Sequence, residues 1–208
     1  SICTSSNAEK VISWALEKGD KLLFFPDQHL GRNTALSMGI KEEEMLIWNP
    51  YEIPNQTEIN DSKILLWHGY CSVHQRFTIE QISRFREENP GAKIVVHPEC
   101  SRAVVDAADA SGSTEFIRKY VSKQKPGDSI GIGTEIHLVN RLAQKYPDRK
   151  IICLDESICP CSTMYMIQPP YLLSLLESIR DGNGINQIEV PKNISHDAKK
   201  ALEQMLSL

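Results

Sequence analysis

DKLLFFPDQHLGRNTAL, residues 20–36, decides the reading of the fold, because DSIGIGTEIHLVNRLAQ, residues 128–144, repeats its plan. Each segment begins with Asp, runs through a short apolar stretch and reaches an acid–x–His–Leu element. These are Asp27-Gln28-His29-Leu30 and Glu135-Ile136-His137-Leu138. A second pair matches in the same way: Lys63-Ile64-Leu65-Leu66 and Lys150-Ile151-Ile152-Cys153, each followed by a Cys-bearing loop. Self-similarity at this spacing reads as two copies of one supersecondary unit.

Working outward, short apolar runs at 21–26, 63–67, 92–96, 129–132 and 150–154 are expected to be buried strands. Amphipathic stretches at 7–18, 78–88, 101–110, 114–123, 135–145, 171–180 and 195–207 are expected to be helices. Thr78 is the N-cap candidate of the second, which stops before Asn89-Pro90. Strands alternating with helices predict an α/β fold of repeated three-layer αβα units with short parallel sheets. Residues 38–60 fit neither copy and read as an insertion rich in acidic and turn residues.

The chain has 208 residues, 41% hydrophobic and 24% charged, which suits one or two globular domains. A net charge of −4 gives no electrostatic case for nucleic acid or an anionic membrane surface. No apolar run is long enough to span a bilayer. Ser1-Ile2-Cys3 carries neither a charged n-region nor an h-region, and the opening reads as the end of a strand. An excised or truncated piece of a cytoplasmic protein is expected. The six cysteines (Cys3, Cys71, Cys100, Cys153, Cys159, Cys161) have no zinc-ribbon or finger spacing. In such a chain they read as metal ligands, catalytic groups or small buried apolar residues before structural disulfides.

Polar clusters follow the expected strands, at the strand ends where open α/β sheets bind ligands. Four are CTSSNA (3–8), WHGYCSVH (67–74), HPEC (97–100) and the segment 131–135 with GTE (133–135); a fifth, 111–114 with GST (112–114), opens a helix, and a sixth is CPCSTM (159–164). With PDQHLG (26–31), this ordered set of seven resembles the quinolinate synthase family, specifically its C-terminal two-thirds in members with a long insertion in the middle domain. The resemblance implies three αβα domains about a pseudo-threefold axis, of which two are here. It divides the chain into a middle domain (1–73), a C-terminal domain (74–165) and C-terminal helices (166–208).

It further implies a [4Fe-4S] cluster held by one Cys per domain, with one iron left for substrate, a Lewis-acid role. The implied reaction condenses iminoaspartate with dihydroxyacetone phosphate to quinolinate in NAD biosynthesis. Cys71 matches the middle-domain ligand. Either Cys159 or Cys161 matches in the last loop; the family places Met three residues after the ligand, and Met164 stands so to Cys161, which is therefore chosen. A Cys159–Cys161 disulfide would close a badly strained loop. The third ligand belongs to the N-terminal domain, which is absent, so the piece alone is expected neither to hold the cluster nor to turn over. His74 resembles an active-site His that meets substrate, and His97 and Glu99 resemble the acid/base pair, Glu99 being the base. Ser113 and Thr114, opening a helix, suit phosphate, and Ser5 and Asn7 suit a substrate carboxylate. The resemblance allows a homodimer and makes L-aspartate oxidase, the source of iminoaspartate, the metabolic neighbour.

Plainer readings compete. Thr114 alone reads as an N-cap, His196 as ordinary, and His29, His68 and His137 as structural. Cys3 and Cys153 read as buried apolar residues, and Cys100 as either packing or site-lining. Two other functions fit the residues less well: a zinc or redox enzyme using Cys71, His74, His97 and Cys161, and a non-catalytic domain binding a phosphorylated metabolite at Ser113 and Thr114.

Overall fold

A computed structural model describes every residue except Ile53 and residues 158–160, so Cys159 lies outside the described residues. The chain forms two compact units. The larger, Cys3–Cys159 with Leu208, holds two parallel sheets. Its strands are β1 (Leu22–Phe24), β2 (Met45–Trp48), β3 (Ile64–Trp67), β4 (Lys93–Val96), β5 (Ala110–Ser111), β6 (Ser129–Gly133) and β7 (Lys150–Cys153). The first sheet has order β1-β3-β2 and the second β5-β4-β6-β7, every pair parallel. The α/β class with short parallel sheets is as the patterns predict.

Helices connect the strands: α1 (Ala8–Lys18), α2 (Gln28–Ser37), α3 (Gln56–Asp61), α4 (Ile79–Glu88), α5 (Arg102–Ala107), α6 (Thr114–Ser122) and α7 (Ile136–Lys145). In the first sheet, Phe24, Ile64 and Leu66 pack with Ala8 and Ile12 of α1 and Leu30 and Ala35 of α2. In the second, the period-two alternation of a strand is visible. Val95, Ile130 and Ile132 meet Ile117 and Val121 of α6 and Val139 and Leu142 of α7 on one face. Gly131, on the other face, is packed against Ile94, Leu154 and Phe85 of α4. Thr78 caps α4 as expected: its side chain accepts from the Gln81 N–H, and the Gln81 side chain accepts from the Thr78 N–H.

Two segments differ from their sequence reading. Within 38–60, read as an insertion, Met45–Trp48 hydrogen-bonds along β3 as an edge strand, and α3 forms behind an Asn55–Glu58 capping box. Residues 101–110 are expected as one helix, but Ala110, with Ser111, pairs with β4 instead (Val95 with Ala110, Val96 with Ser111), so α5 ends at Ala107. Alanine's helix propensity yields there to the ladder.

The smaller unit comprises Ser1–Ile2 and Pro160–Ser207. It carries a 3-10 turn at Met164–Met166, α8 (Pro169–Arg180) and α9 (Lys192–Leu206). Pro169 starts α8, where no backbone donor is missed. The helix stops in a Schellman turn: Gly182 has φ 80°, its N–H donates to Ile179 O, and the Asn183 N–H donates to Ser178 O. Among the described residues, no helix is long and apolar enough to cross a membrane.

Candidate functional site

The site gathers at the carboxyl ends of β1, β3, β4 and β6, all within the larger unit. After β1 the chain turns through Phe25-Pro26 to Asp27, the N-cap of α2. One Asp27 oxygen accepts the Leu30 N–H at 2.8 Å, and the other accepts the Cys71 N–H at 2.9 Å. A single buried carboxylate thus fixes both a helix start and the loop carrying Cys71. Burial raises its pKa, and the backbone N–H groups of Leu30 and Cys71 oppose that rise. The loop lies so close to the β1 turn that a side chain at Gly69 would collide with the Pro26 carbonyl.

Cys71 leads into a 3-10 turn, His74–Arg76, tied at its far end by Arg76 to Asp155 at 2.6 Å. The turn buries His74. Its Nδ1 lies 2.9 Å from Glu99 Oε2, and its Nε2 lies 3.2 Å from the Thr134 hydroxyl at the end of β6. His97, directly after β4, stacks on His74 with centroids 4.4 Å apart and planes 12° from parallel. The Glu99 N–H donates to His97 Nδ1 at 3.3 Å, so the ring's proton sits on Nε2, which faces Ser5 Oγ at 3.3 Å.

The charges divide sharply between the stacked rings. Burial disfavours the His74 cation, but hydrogen bonds and attraction from Cys71 and Glu99 outweigh it, raising its pKa to about 9. Its hydrogen bond in turn lowers the Cys71 thiol, and it holds Glu99 low against the opposing effect of burial. At His97 the attraction of Glu99, 3.9 Å away, is too weak to offset the opposing effects. Burial and the neighbouring His74 cation push it down to about 4, so it is neutral at ordinary pH. The site therefore presents an imidazolium between a thiolate-prone Cys and a carboxylate, with a neutral imidazole stacked behind. This set can donate a proton at His74, accept one at Glu99 and offer sulfur to a metal. Three other thiols behave differently: burial raises Cys3, Cys100 and Cys153. Cys100 is fully buried, with its thiol directed at the Gly133 carbonyl, a packing position.

Of the residues singled out in the sequence, Cys71, His74, His97, Glu99 and Ser5 come together. Glu99 stands closer to His74, at 2.9 Å, than to His97, at 3.9 Å, although the sequence paired it with His97. Asn7 turns back on its own loop, where its Oδ1 accepts from the Thr4 N–H and hydroxyl. Ser113 is buried as the N-cap of α6, accepting from the Phe116 N–H, and Thr114 follows it, exposed. Ser5 also lines a cleft of ≈ 400 Å³ with Asn33, Pro98, Arg102, Ser111 and Gly112. Cys161 belongs to the smaller unit, half-buried, its Sγ 3.1 Å from the Thr163 hydroxyl.

Three supporting residues escaped the sequence reading. Thr134 sat inside the quoted GTE cluster, and Asp27 inside the repeated acid–x–His element, so both carried a signal. Asn33 carried none. From α2 its carboxamide donates to the Pro98 carbonyl at 2.8 Å and the Cys100 carbonyl at 2.9 Å, clamping the loop on both sides of Glu99.

Comparison with known proteins gives a consistent result. The family model described as NadA, quinolinate synthetase A protein, matches residues 1–207. The chain is 54% identical over 210 residues to the quinolinate synthase of Corynebacterium glutamicum, an overlap covering 100% of this chain and 53% of that protein. It is 50% identical over 207 residues to the quinolinate synthase of Listeria monocytogenes serotype 4b, covering 99% and 57%. Against that of Rhodopirellula baltica it is 48% identical over 211 residues, covering 100% and 54%. The chain spans about half the length of the curated relatives it matches.

Proposed function

Given that this chain belongs to the quinolinate synthetase A protein family, we propose that it supplies the middle αβα domain (1–73), the C-terminal αβα domain (74–165) and the C-terminal helices (166–208) of a quinolinate synthase. The whole enzyme would condense iminoaspartate with dihydroxyacetone phosphate to quinolinate, toward NAD, in the cytoplasm. The observation that carries this reading is the grouping of Cys71, His74, His97 and Glu99 at the ends of parallel strands, with one thiol lowered and one imidazole held neutral.

Cys71 and Cys161 would be two of three ligands to a [4Fe-4S] cluster. The donor chemistry at Cys71 fits: its thiol is half-exposed, biased toward thiolate by His74, and its backbone is anchored by Asp27. When bound, the cluster supplies a Lewis acid for the substrate's oxygen functions. The chain's own residues do the rest. Glu99 accepts a proton from carbon during enolisation and dehydration, and His74, charged and hydrogen-bonded to that carboxylate, returns protons to departing oxygen. His97, neutral with its proton on Nε2, donates to Ser5 Oγ or to substrate in its place. Ser5 and Asn7 take a substrate carboxylate, and Ser113 and Thr114 at the start of α6 take phosphate. A homodimer and supply of iminoaspartate by L-aspartate oxidase complete the reading.

The test is formation of quinolinate from iminoaspartate and dihydroxyacetone phosphate by the anaerobically purified intact protein. Glu99→Gln should lower kcat at least about 100-fold, the range of a positioned acid–base group, with KM little changed. Full activity in Glu99→Gln, or no quinolinate from the cluster-loaded protein, removes the reading.

A further inference from the structure

The segment from Cys71 to Arg76 is held at both ends by carboxylates that follow strands of different sheets. At its start, the Cys71 N–H donates to Asp27, which follows β1. At its end, Arg76 Nε donates to Asp155 Oδ2 at 2.6 Å, and Asp155 follows β7. The second carboxylate also shapes its own loop: Asp155 Oδ1 accepts the Ser157 N–H at 2.9 Å, a turn closed by the side chain. Cys71 precedes Arg76 by five positions, and Cys161 follows Glu156 by five. From this geometry we infer that Arg76 and Asp155 are positioning residues for the cluster: their bond fixes the base of the segment leading to Cys161 against the turn that follows Cys71. The inference rests on the cluster reading above.

The pair differs from an ordinary surface ion pair, which is worth little because water screens it and two long side chains must be ordered. The Asp155 side chain is only 10% exposed, and its bond to the guanidinium is short and charge-assisted. A cavity of ≈ 10 Å³, lined by the pair with Val73, Phe77, Thr134 and Cys153, has room for one water at most. The arrangement is therefore a packed strut, with no space for a ligand.

Arg84, from α4, adds a looser strut. Its Nη2 lies 3.3 Å from Glu156 Oε1, with both side chains well exposed. Two adjacent acids after β7 are thus met by two arginines, one on the His74–Arg76 turn and one on the helix that follows it. A cluster needs its thiolates at fixed separations, and a segment whose base is already placed loses less freedom on capture.

The experiment has two arms, both on the intact protein. In the metal-free form, hydrogen exchange is read at Ser157 in peptides covering 154–157. Arg76→Gln should speed it about tenfold, the effect of one lost charge-assisted hydrogen bond, while the amides of β6 exchange as in the parent. In the anaerobically loaded form, iron removal by the chelator bathophenanthroline is timed. Arg76→Gln should lose its cluster about tenfold faster, Arg76→Lys should restore most of the parent's rate, and Arg84→Gln should change it about twofold or less. Arg118→Gln, which breaks an exposed pair with Glu115 on α6, should behave as the parent does. Unchanged exchange at Ser157, faster exchange of the β6 amides in step with it, or cluster loss at the parent's rate in Arg76→Gln overturns this inference alone. A parent without iron and sulfide overturns the cluster reading and this inference with it.

Discussion

Asn33 is the residue whose replacement most directly tests how the site is held. Its carboxamide is buried, 6% exposed, and donates to the Pro98 and Cys100 carbonyls that flank Glu99. Asn33→Ala removes two neutral hydrogen bonds worth about 1 kcal/mol each and leaves two carbonyls short of a donor, a cost of up to about 1–3 kcal/mol. Two effects offset this: Oδ1 is already buried without a partner, and the adjoining cleft admits water. The expected loss is about 2–3 kcal/mol. Asn33→Asp is nearly isosteric but turns acceptors toward acceptors. Ionised, it is a buried charge without a donor, costing on the order of 3–5 kcal/mol. The folded pKa of that introduced carboxyl must lie above its unfolded value of about 3.9. Its penalty is therefore smallest below about pH 3.9 and grows as pH rises through the folded pKa. Urea unfolding followed by fluorescence of Trp14, Trp48 and Trp67 reads both variants at several pH values. An alanine variant within about 0.5 kcal/mol of the parent, below the cost of even one lost hydrogen bond, refutes the clamp. So does an aspartate variant no worse than alanine at pH 8.

Three other outcomes follow from the same geometry. Asp27→Asn keeps one acceptor where two N–H groups need one each, so it should lose about 1–3 kcal/mol and loosen the Cys71 loop, seen as faster amide exchange at Leu30 or Cys71. His97 has its pKa depressed from 6.5 to about 4, so the unfolded chain binds the extra proton. Stability should fall as pH drops from about 6.5 toward 4, by roughly 3 kcal/mol in total, and His97→Gln should flatten that limb; an unchanged acid limb in the variant contradicts the assignment. Iodoacetamide near pH 7 should alkylate Cys71 well before Cys3, Cys100 or Cys153, and His74→Ala should slow it. Mass spectrometry showing Cys100 labelled as fast as Cys71 would count against the thiolate.

Much of the fold was legible because the strands of both sheets, apart from β2 and β5, are short apolar runs set between amphipathic helices. Met45–Trp48 was missed for a physical reason. It is an edge strand with no fully buried residue, and its apolar run Met45-Leu46-Ile47-Trp48 is set between three glutamates and the turn residues Asn49-Pro50, so the surrounding polar composition hid it. α2 likewise has no clean apolar stripe, since it buries Gln28, His29 and Asn33 as well as Leu30 and Ala35. The two-residue β5 is specified by its register against β4, which no local preference encodes. At the site, Cys71, His74, His97 and Glu99 were readable as side chains in motifs. Their partners were not: Asp27 and Asn33 act on backbone groups 44 and 65–67 residues away. The preference of Glu99 for His74 over His97 likewise depends on how the 74–76 turn meets the β4 loop.

The central claim is that Cys71 and Cys161 are two ligands of one [4Fe-4S] cluster. Iron and acid-labile sulfide, counted per chain in the anaerobically purified intact protein and in its Cys71→Ala and Cys161→Ala variants, test it most directly. The account predicts about four of each in the parent and loss in both variants. Zinc in place of iron and sulfide, or an intact cluster in Cys71→Ala, would contradict it.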